Sequence, residues 1–442
     1  MINLFSRVAI NLRFSSWWTV TYARSRTYTL PVKKKDGTRR ARQILLRVRW
    51  SLKIRAERLL ESLKYRMPSR FAGASRPAAG VPRAQQVPAP LQGRFCPNPF
   101  KQIDLEDSGA AYTCCSSWLP TPIGNLNHRS VMEFWNGSVI QSIRESIFDG
   151  SFRYCRHDRC PVIQNGELPT LEDAAKDPLF TRIIDEKRTV VDRPPVFVNL
   201  VNDRSCNLYC PSCRTERINH QDGPKSREIS RIQDRLLEPY LSEPNDLFFI
   251  LSITGSGDPF ASRVYRNLLY SLDGSDYPNM QIALQTNGVL LTPRNWQRMQ
   301  GVHENIISVI ISFDAATEQT YNITRRGGHW ATLLENSAAM GELRKQGKVR
   351  TLRFDFVVQK ANFREMSPFV HLARDLGAGR ASFSQLFNWG TWSKDQFMDQ
   401  CVWDKHHPLF EEFVEVMRDP LFDDPFVDMG NMSEIRSKVL GH

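Results

Sequence analysis

The stretch VFVNLVNDRSCNLYCPSCR, residues 196–214, joins a strand-like segment to three closely spaced cysteines. It opens with an apolar run, Val196–Val201, of the length and composition of a buried strand. Cys206, Cys210 and Cys213 follow, so three residues separate the first pair and two separate the second. A loop with this spacing can fold three thiolates around one face of an iron–sulfur cubane. Because full ligation of a [4Fe–4S] cluster takes four thiolates, three leave one iron open to a small amino-acid ligand.

Downstream of this stretch, strand-like and helix-like segments alternate to about residue 420. The predicted strands are Val196–Val201, Leu247–Ile253, Gln281–Gln285, Ile306–Ser312, Thr351–Val358 and Arg380–Leu386. The predicted helices lie near 226–240, 261–273, 292–301, 329–345, 362–376 and 406–418. Six βα units indicate a parallel sheet with its chemistry at the carboxyl ends of the strands. We therefore expect an α/β fold, a partial (β/α)6 TIM-like barrel, over residues 194–420.

Upstream of the barrel the composition changes twice. Residues 1–67 form a basic helical or disordered arm with a predicted amphipathic helix at 39–67, and residues 68–94 form a Pro/Ala/Gly linker. Residues 95–165 form a small cysteine-rich module. Residues 1–90 hold 20 Lys and Arg against 3 Asp and Glu, whereas the rest of the chain holds 39 against 44. The net charge of +12 therefore belongs to the arm, which argues against a nucleic-acid-binding composition throughout.

The same bulk properties bear on location. No apolar run is long enough to span a bilayer, and the N-terminus lacks the pattern of a signal peptide. We therefore expect a cytoplasmic protein, in which nine cysteines indicate metal or redox chemistry rather than disulfides. For residues 1–67 a solvated extension is the simplest interpretation. The alternatives are weak docking to an anionic membrane surface and contact with RNA or an acidic partner.

The pattern CxxxCxxC after the first strand resembles the signature of the radical S-adenosylmethionine (radical SAM) superfamily, and later turns match that family in register with the strands. The loop after the second strand is similar to the family's Gly-Gly-Glu-Pro loop, with Asp258 in place of Glu. In that family, the backbone of this loop binds the methionyl ammonium of S-adenosylmethionine (SAM). The resemblance implies a catalytic [4Fe–4S] cluster on the three cysteines and SAM contacts along the strand ends. The implied contacts are Gly255, Ser256, Gly257, Asp258, Pro259, Thr286, Asn287, Ser312, Asp314 and Gln359.

Residues 95–165 resemble a SPASM domain, an auxiliary iron–sulfur module of many radical SAM enzymes. The matching features, in order, are Cys96 with a Pro three residues on, the pair Cys114-Cys115, Gly124-Asn125, Trp135-Asn136, and the closing pair Cys155 and Cys160. The resemblance implies a second [4Fe–4S] cluster on Cys96, Cys155, Cys160 and one of Cys114 or Cys115. This module precedes the barrel, whereas in most of the family it follows.

The implied activity is reductive cleavage of SAM and abstraction of a hydrogen atom from a substrate, with flavodoxin or ferredoxin as electron donor. Peptide or protein modification is slightly favoured over oxidation or rearrangement of a small metabolite, such as a sugar or cofactor precursor. The competing chemistry is zinc, either at the CxxxCxxC loop with His220 as fourth ligand or in the upstream module. A zinc site would leave a non-enzymatic metal-binding module, but CxxxCxxC is an uncommon zinc spacing.

Overall fold

The computed structural model describes residues 91–441 and two short paired strands, Leu12–Arg13 (β1) and Thr19–Val20 (β2). The predicted helix at 39–67, and the linker as far as residue 90, lie outside the described residues. The remaining strands are β3 Gln102–Leu105, β4 Ala110–Tyr112, β5 Gly124–Asn125, β6 Phe197–Leu200, β7 Phe249–Ile253, β8 Met280–Thr286, β9 Ile306–Ser312, β10 Thr351–Val358, β11 Arg380–Gln385 and β12 Val427–Asp428.

The helices fall into an upstream and a downstream group. Upstream are α1 Asn98–Lys101, α2 Val131–Trp135, α3 Ser138–Phe148, α4 Pro161–Gln164, α5 Leu171–Ala175 and α6 Thr181–Asp185. Downstream are α7 Pro224–Leu241, α8 Arg263–Ser271, α9 Pro293–Arg298, α10 Glu318–Thr324, α11 Trp330–Lys345, α12 Met366–Asp375, α13 Lys394–Met398, α14 Phe410–Met417 and α15 Met432–Leu440. Short 3-10 turns occupy Gly274–Asp276, Gln300–Asn305, Phe363–Glu365 and Pro420–Asp423.

One sheet organises residues 91–441. Its ten strands run in the order β12-β11-β10-β9-β8-β7-β6-β3-β4-β5. All neighbours from β12 to β3 are parallel, and β4 and β5 complete the sheet in antiparallel fashion. The sheet does not close on itself, because β12 and β5 form its two edges. The predicted α/β fold with an open, barrel-like parallel sheet is confirmed, and each of the six predicted strands and helices has its counterpart.

The upstream module is built into this sheet. Its strand β3 pairs in parallel with β6, so that Asp104 lies beside Asn199. The hairpin of β4 and β5 then extends the sheet beyond β3. Strand β6 leads directly into the cysteine loop, so the upstream module and that loop are held by adjacent strands of one rigid element.

The two faces of the sheet differ in chemistry. One face is apolar and packs on the helices, as where Phe354 and Phe356 of β10 meet Phe369 of α12 through a cluster of rings. The strand registers place polar side chains together on the other face, which we call the polar face. Its members are Asp104, Asn199, Ser252, Gln285, Ser308, Ser312, Arg353, Asp355, Ser382 and Ser384. Parallel strands buried on both faces are normally apolar throughout, so this face is adapted to contact something polar.

Candidate active site

The three predicted cluster cysteines meet at one cavity. Cys206, Cys210 and Cys213 line a cavity of about 100 Å³ at the carboxyl end of β6. The loop closes on itself, because the backbone N–H of Cys213 donates to the carbonyl of Cys210 at 2.9 Å. Burial raises the pKa of Cys206 to about 12 and also raises the pKa of Cys210. These thiols are therefore poor nucleophiles by themselves, whereas a bound metal centre would deprotonate them.

Each of the three sulfurs has a hydrogen-bond donor directed at it. The Asn287 amide donates to Cys206 Sγ at 3.6 Å, and the Arg214 guanidinium donates to Cys213 Sγ at 3.4 Å. An Arg325 nitrogen lies 4.0 Å from Cys210 Sγ. Donors and cations next to thiolates stabilise the negative charge of an iron–sulfur cluster and shift its potential. The surroundings of the loop therefore fit a thiolate-bound cluster.

The glycine loop after β7 forms the facing wall of the cavity. Gly255, Ser256 and Gly257 line it. A side chain at Gly257 would collide with the backbone oxygens of Asp203 and Ser205, so only glycine allows the loop to approach the cysteine segment this closely. Arg214 joins the two loops, because its guanidinium donates to the Ser256 carbonyl at 2.6 Å.

Asp258, predicted as a SAM contact, connects the loop to β8. Its fully buried carboxylate accepts from the backbone N–H groups of Phe260 (2.9 Å) and Ala261 (3.2 Å). It also accepts from the Thr286 hydroxyl (2.7 Å) and the Asn287 N–H (2.9 Å). Burial raises the pKa of Asp258, and these hydrogen bonds oppose that rise. The carboxylate thus holds two cavity-lining segments in one arrangement.

Asp314 and Arg325 form a buried ion pair beside the cavity. Asp314 Oδ2 lies 2.8 Å from the Arg325 guanidinium, and the other carboxylate oxygen accepts from the Val357 N–H at 2.8 Å. Asp314 has a φ of +57°, in the left-handed region that is uncommon for a residue with a side chain. Arg325 lines the cavity together with Ser312. The pair therefore places a fixed cation where a carboxylate of a small ligand can bind.

The predicted contacts divide into two groups. Those that line the cavity are Gly255, Ser256, Gly257, Thr286, Asn287 and Ser312. Asp258, Pro259, Asp314 and Gln359 lie outside that lining. The Gln359 N–H donates to Asn362 at 2.8 Å, while its side-chain nitrogen is buried without a hydrogen-bond partner among the described residues.

Sequence reasoning missed both arginines of the site. Arg214 directly follows the last cysteine, which was a usable signal, since a cation in that position can reach a cluster sulfur. Arg325 lies on the turn after α10, and nothing in the local sequence marks it. Its role depends on the long-range ion pair to Asp314.

The upstream cysteines gather into a second group. Burial, and then neighbouring thiols, raise the pKa of Cys96 to about 12 and the pKa values of Cys114 and Cys155. Cys160 contributes to the rise in all three cases, so these four thiols lie near one another. Burial raises the pKa of Cys115 to about 11, and Ser117, Asp104 and Trp118 are the other groups that shift it. Cys115 also raises the pKa of Cys114, but it does not contribute to the shifts of Cys96 and Cys155.

The grouping of these thiols bears on zinc. Within residues 91–441, no three His, Cys, Asp or Glu side chains come close enough to hold a single metal ion.

Comparison with known proteins agrees with the upstream pattern. Residues 96–161 match the model of the SPASM family, an iron–sulfur cluster-binding domain. This chain is similar to Streptococcus suis SuiB bound to S-adenosylmethionine over 66% of its own length and 61% of SuiB, with 14% identity and a TM-score of 0.36. The match to SuiB bound to the precursor peptide SuiA covers 56% of this chain and 53% of SuiB, with 14% identity and a TM-score of 0.33. The match to native anSMEcpe with bound AdoMet and the Cp18Cys peptide covers 52% of this chain and 59% of anSMEcpe, with 17% identity and a TM-score of 0.34.

These matches are partial. The chain spans 53–61% of the length of the SuiB structures it matches. A search of curated proteins returns no significant match. Among the described residues, none of the helices has the length and apolar character needed to cross a bilayer.

The domain match and the fold agree with the sequence at two points. Residues 96–161 match the SPASM iron–sulfur domain that the upstream cysteine pattern resembles. The open parallel sheet that follows carries the predicted three-cysteine loop at the end of its first core strand.

Proposed function

We propose that this protein cleaves SAM reductively and abstracts a hydrogen atom from a peptide or protein substrate. The convergence of Cys206, Cys210 and Cys213 on one cavity with the glycine loop and Arg325 carries the proposal. When bound, a [4Fe–4S] cluster with one open iron supplies an electron that splits SAM and yields a hydrogen-abstracting radical. Four residues that were predicted as SAM contacts lie outside the cavity lining: Asp258, Pro259, Asp314 and Gln359. We propose that they support the contact residues rather than touch SAM.

In this proposal the chain's own residues orient the cofactor. Arg325, held by Asp314, binds the carboxylate of SAM and remains charged, because Asp314 raises the pKa of the guanidinium. Backbone groups of Gly255 and Gly257 bind its ammonium. Arg214 and Asn287 stabilise the thiolates. The buried setting excludes water from the reacting atoms.

For the upstream domain we propose a second [4Fe–4S] cluster on Cys96, Cys114, Cys155 and Cys160, which assists electron transfer. The mutual proximity of these thiols supports Cys114 over Cys115. Asp104 lies near the upstream cysteines, on the strand that pairs with β6. Its side chain neighbours Cys114 on one side, and its strand places it beside Asn199 of β6 on the other. A flavodoxin or ferredoxin is the proposed electron donor.

The polar face bears on the substrate. It meets the cavity at Gln285 and Ser312, so a substrate that reaches the reacting atoms from the sheet side encounters hydroxyl and amide groups. These groups suit a polar peptide segment, and they equally favour the second candidate, a small hydroxylated metabolite such as a sugar or cofactor precursor. Proteins bound to peptides occur among the structural matches.

The test is formation of 5′-deoxyadenosine. The anaerobically reconstituted full chain, given dithionite and SAM, should produce it. Cys210→Ala should abolish the product, whereas Cys401→Ala, at a buried cysteine whose thiol donates to the Phe397 carbonyl, should not. Zinc at the three sulfurs, or equal turnover in both variants, would refute the proposal. Addition of peptide pools or of sugar precursors then separates the two substrate classes, according to which one increases turnover.

A further inference from the structure

Two cations are buried against the turn that carries Cys96. Helix α1 begins two residues after this cysteine and ends at Lys101, whose side chain is only 4% exposed. The Lys101 ammonium lies 5.8 Å from the centre of the Phe180 ring. Phe180 in turn packs edge-on against Phe95, the residue before Cys96, at 5.5 Å. Lys101 is therefore enclosed in the same apolar cluster against which Cys96 packs.

The second cation, Arg144 of α3, is fully buried. Its Nε donates to the carbonyl of Pro99 in α1 at 2.9 Å, and its guanidinium lies over the rings of Trp135 (4.6 Å) and Phe100 (5.6 Å). Its acceptors are the neutral oxygens of Pro99, Asn136 and Thr189, and Nη2 has no hydrogen-bond partner among the described residues. A buried guanidinium without a carboxylate is costly unless another negative charge lies nearby.

The electrostatics of the metal-free chain reflect this cost. Burial lowers the pKa of Lys101 to about 8; the negative charges of Cys96 and Asp177 oppose that change, and the positive charge of Arg193 adds to it. Burial also lowers the pKa of Arg144 to about 9, and the charge of Arg193 adds to the effect. A cluster ligated by four thiolates carries a net charge of about −2, which becomes more negative on reduction. Such a centre next to α1 would place a further negative charge near Lys101 and would offset the cost of burying Arg144, whose acceptors are all neutral.

We propose that Lys101 and Arg144 are the charge partners of the SPASM cluster and raise its reduction potential. Reduction adds one electron to the centre, and two fixed positive charges in a dry environment stabilise the added negative charge. A centre of raised potential takes up an electron more readily, which favours a relay role over a purely structural one. This inference rests on the second cluster of the proposed function.

The experiment is a potentiometric titration of the anaerobically reconstituted full chain, followed by electron paramagnetic resonance. The triple variant Cys206→Ala, Cys210→Ala, Cys213→Ala identifies the SPASM signal. Lys101→Met should make reduction at least tenfold less favourable, which is about 59 mV for a one-electron couple. Arg144→Met should shift the potential in the same direction. Lys101→Arg keeps the charge and should stay near the wild-type value.

The matched control is Lys176→Met. This change removes an exposed lysine that forms a salt bridge with Asp173. It should leave the potential unchanged. If Lys101→Met loses the SPASM iron but Lys101→Arg retains it, the charge requirement is also supported. An equilibrium constant for reduction within twofold of wild type in Lys101→Met, which is a shift of less than about 18 mV, overturns the proposal, and so does loss of iron in both Lys101 variants. Because the titration needs no SAM turnover, absence of 5′-deoxyadenosine would refute the proposed reaction without affecting this result.

Discussion

Asp258→Asn tests whether the carboxylate that joins the glycine loop to β8 controls SAM binding. The fully buried Asp258 accepts four hydrogen bonds, two on each oxygen. Asparagine can keep the acceptor facing Phe260 and Ala261, but it turns an amide NH2 towards the backbone N–H of Asn287. The Thr286 hydroxyl can rotate and accept from that amide, whereas the Asn287 N–H loses its partner. One orphaned buried donor costs about 1–3 kcal/mol.

That cost should appear in the affinity for SAM. If the loop shifts to relieve the unpaired N–H, SAM binding has to restore the original arrangement. A cost of about 1–3 kcal/mol corresponds to a dissociation constant about 5- to 150-fold weaker. Anaerobic equilibrium dialysis of the oxidised holoprotein, in which SAM is not cleaved, measures this constant, and iron analysis confirms that the cluster is present. Asp222→Asn, at an exposed carboxylate paired with Arg263, is the control and should bind as wild type. Wild-type affinity in Asp258→Asn with full iron content would refute the reasoning.

Three further predictions concern the same two sites. Gly257→Ala should weaken SAM binding or lose the cluster, because the added carbon meets backbone oxygens and such overpacking costs about 1–3 kcal/mol. Gly255→Ala is the control, because a carbon added there would meet only one side-chain carbon, at 3.8 Å. The SAM affinity of the two alanine variants checks this prediction. Burial raises the pKa of Asp104 to about 6, so the folded state binds a proton more tightly than the unfolded state. The free energy of unfolding should therefore fall by up to about 3 kcal/mol as the pH rises from about 4 to 6. Denaturation measured across this pH range should show the fall in wild type and not in Asp104→Asn. Cys114→Ser should lose the iron of the SPASM domain and Cys115→Ser should retain it, and the reverse pattern in iron analysis would exchange their roles.

The core of the fold could be predicted from sequence because its signals are local. Strand β9 was predicted with the bounds that it has, since Ile306–Ser312 is a largely β-branched, apolar segment of strand length. Strands β6 and β8 differ from the prediction by one residue at either end. The strand β12 after residue 420 was not predicted, because its two residues, Val427 and Asp428, carry no periodicity.

Long-range pairing accounts for what was missed at the site. The sequence indicated Asp314 as a SAM contact but gave no sign of its ion pair with Arg325, which lines the cavity. Asp258 was assigned to a loop whose backbone binds the cofactor, yet its carboxylate bridges to Thr286 across 28 positions of chain. Neither contact leaves a trace in residue spacing.

By itself, the sequence determined the two cysteine sets, the alternation of strands and helices and the position of the glycine loop, because each depends on residues close together along the chain. Tertiary structure alone decided that β3 joins β6, that Arg325 faces the cavity and that Lys101 and Arg144 meet at the Cys96 turn. These features depend on strand register and on the burial of charge between distant segments, which are set only when the whole sheet and its helices pack together.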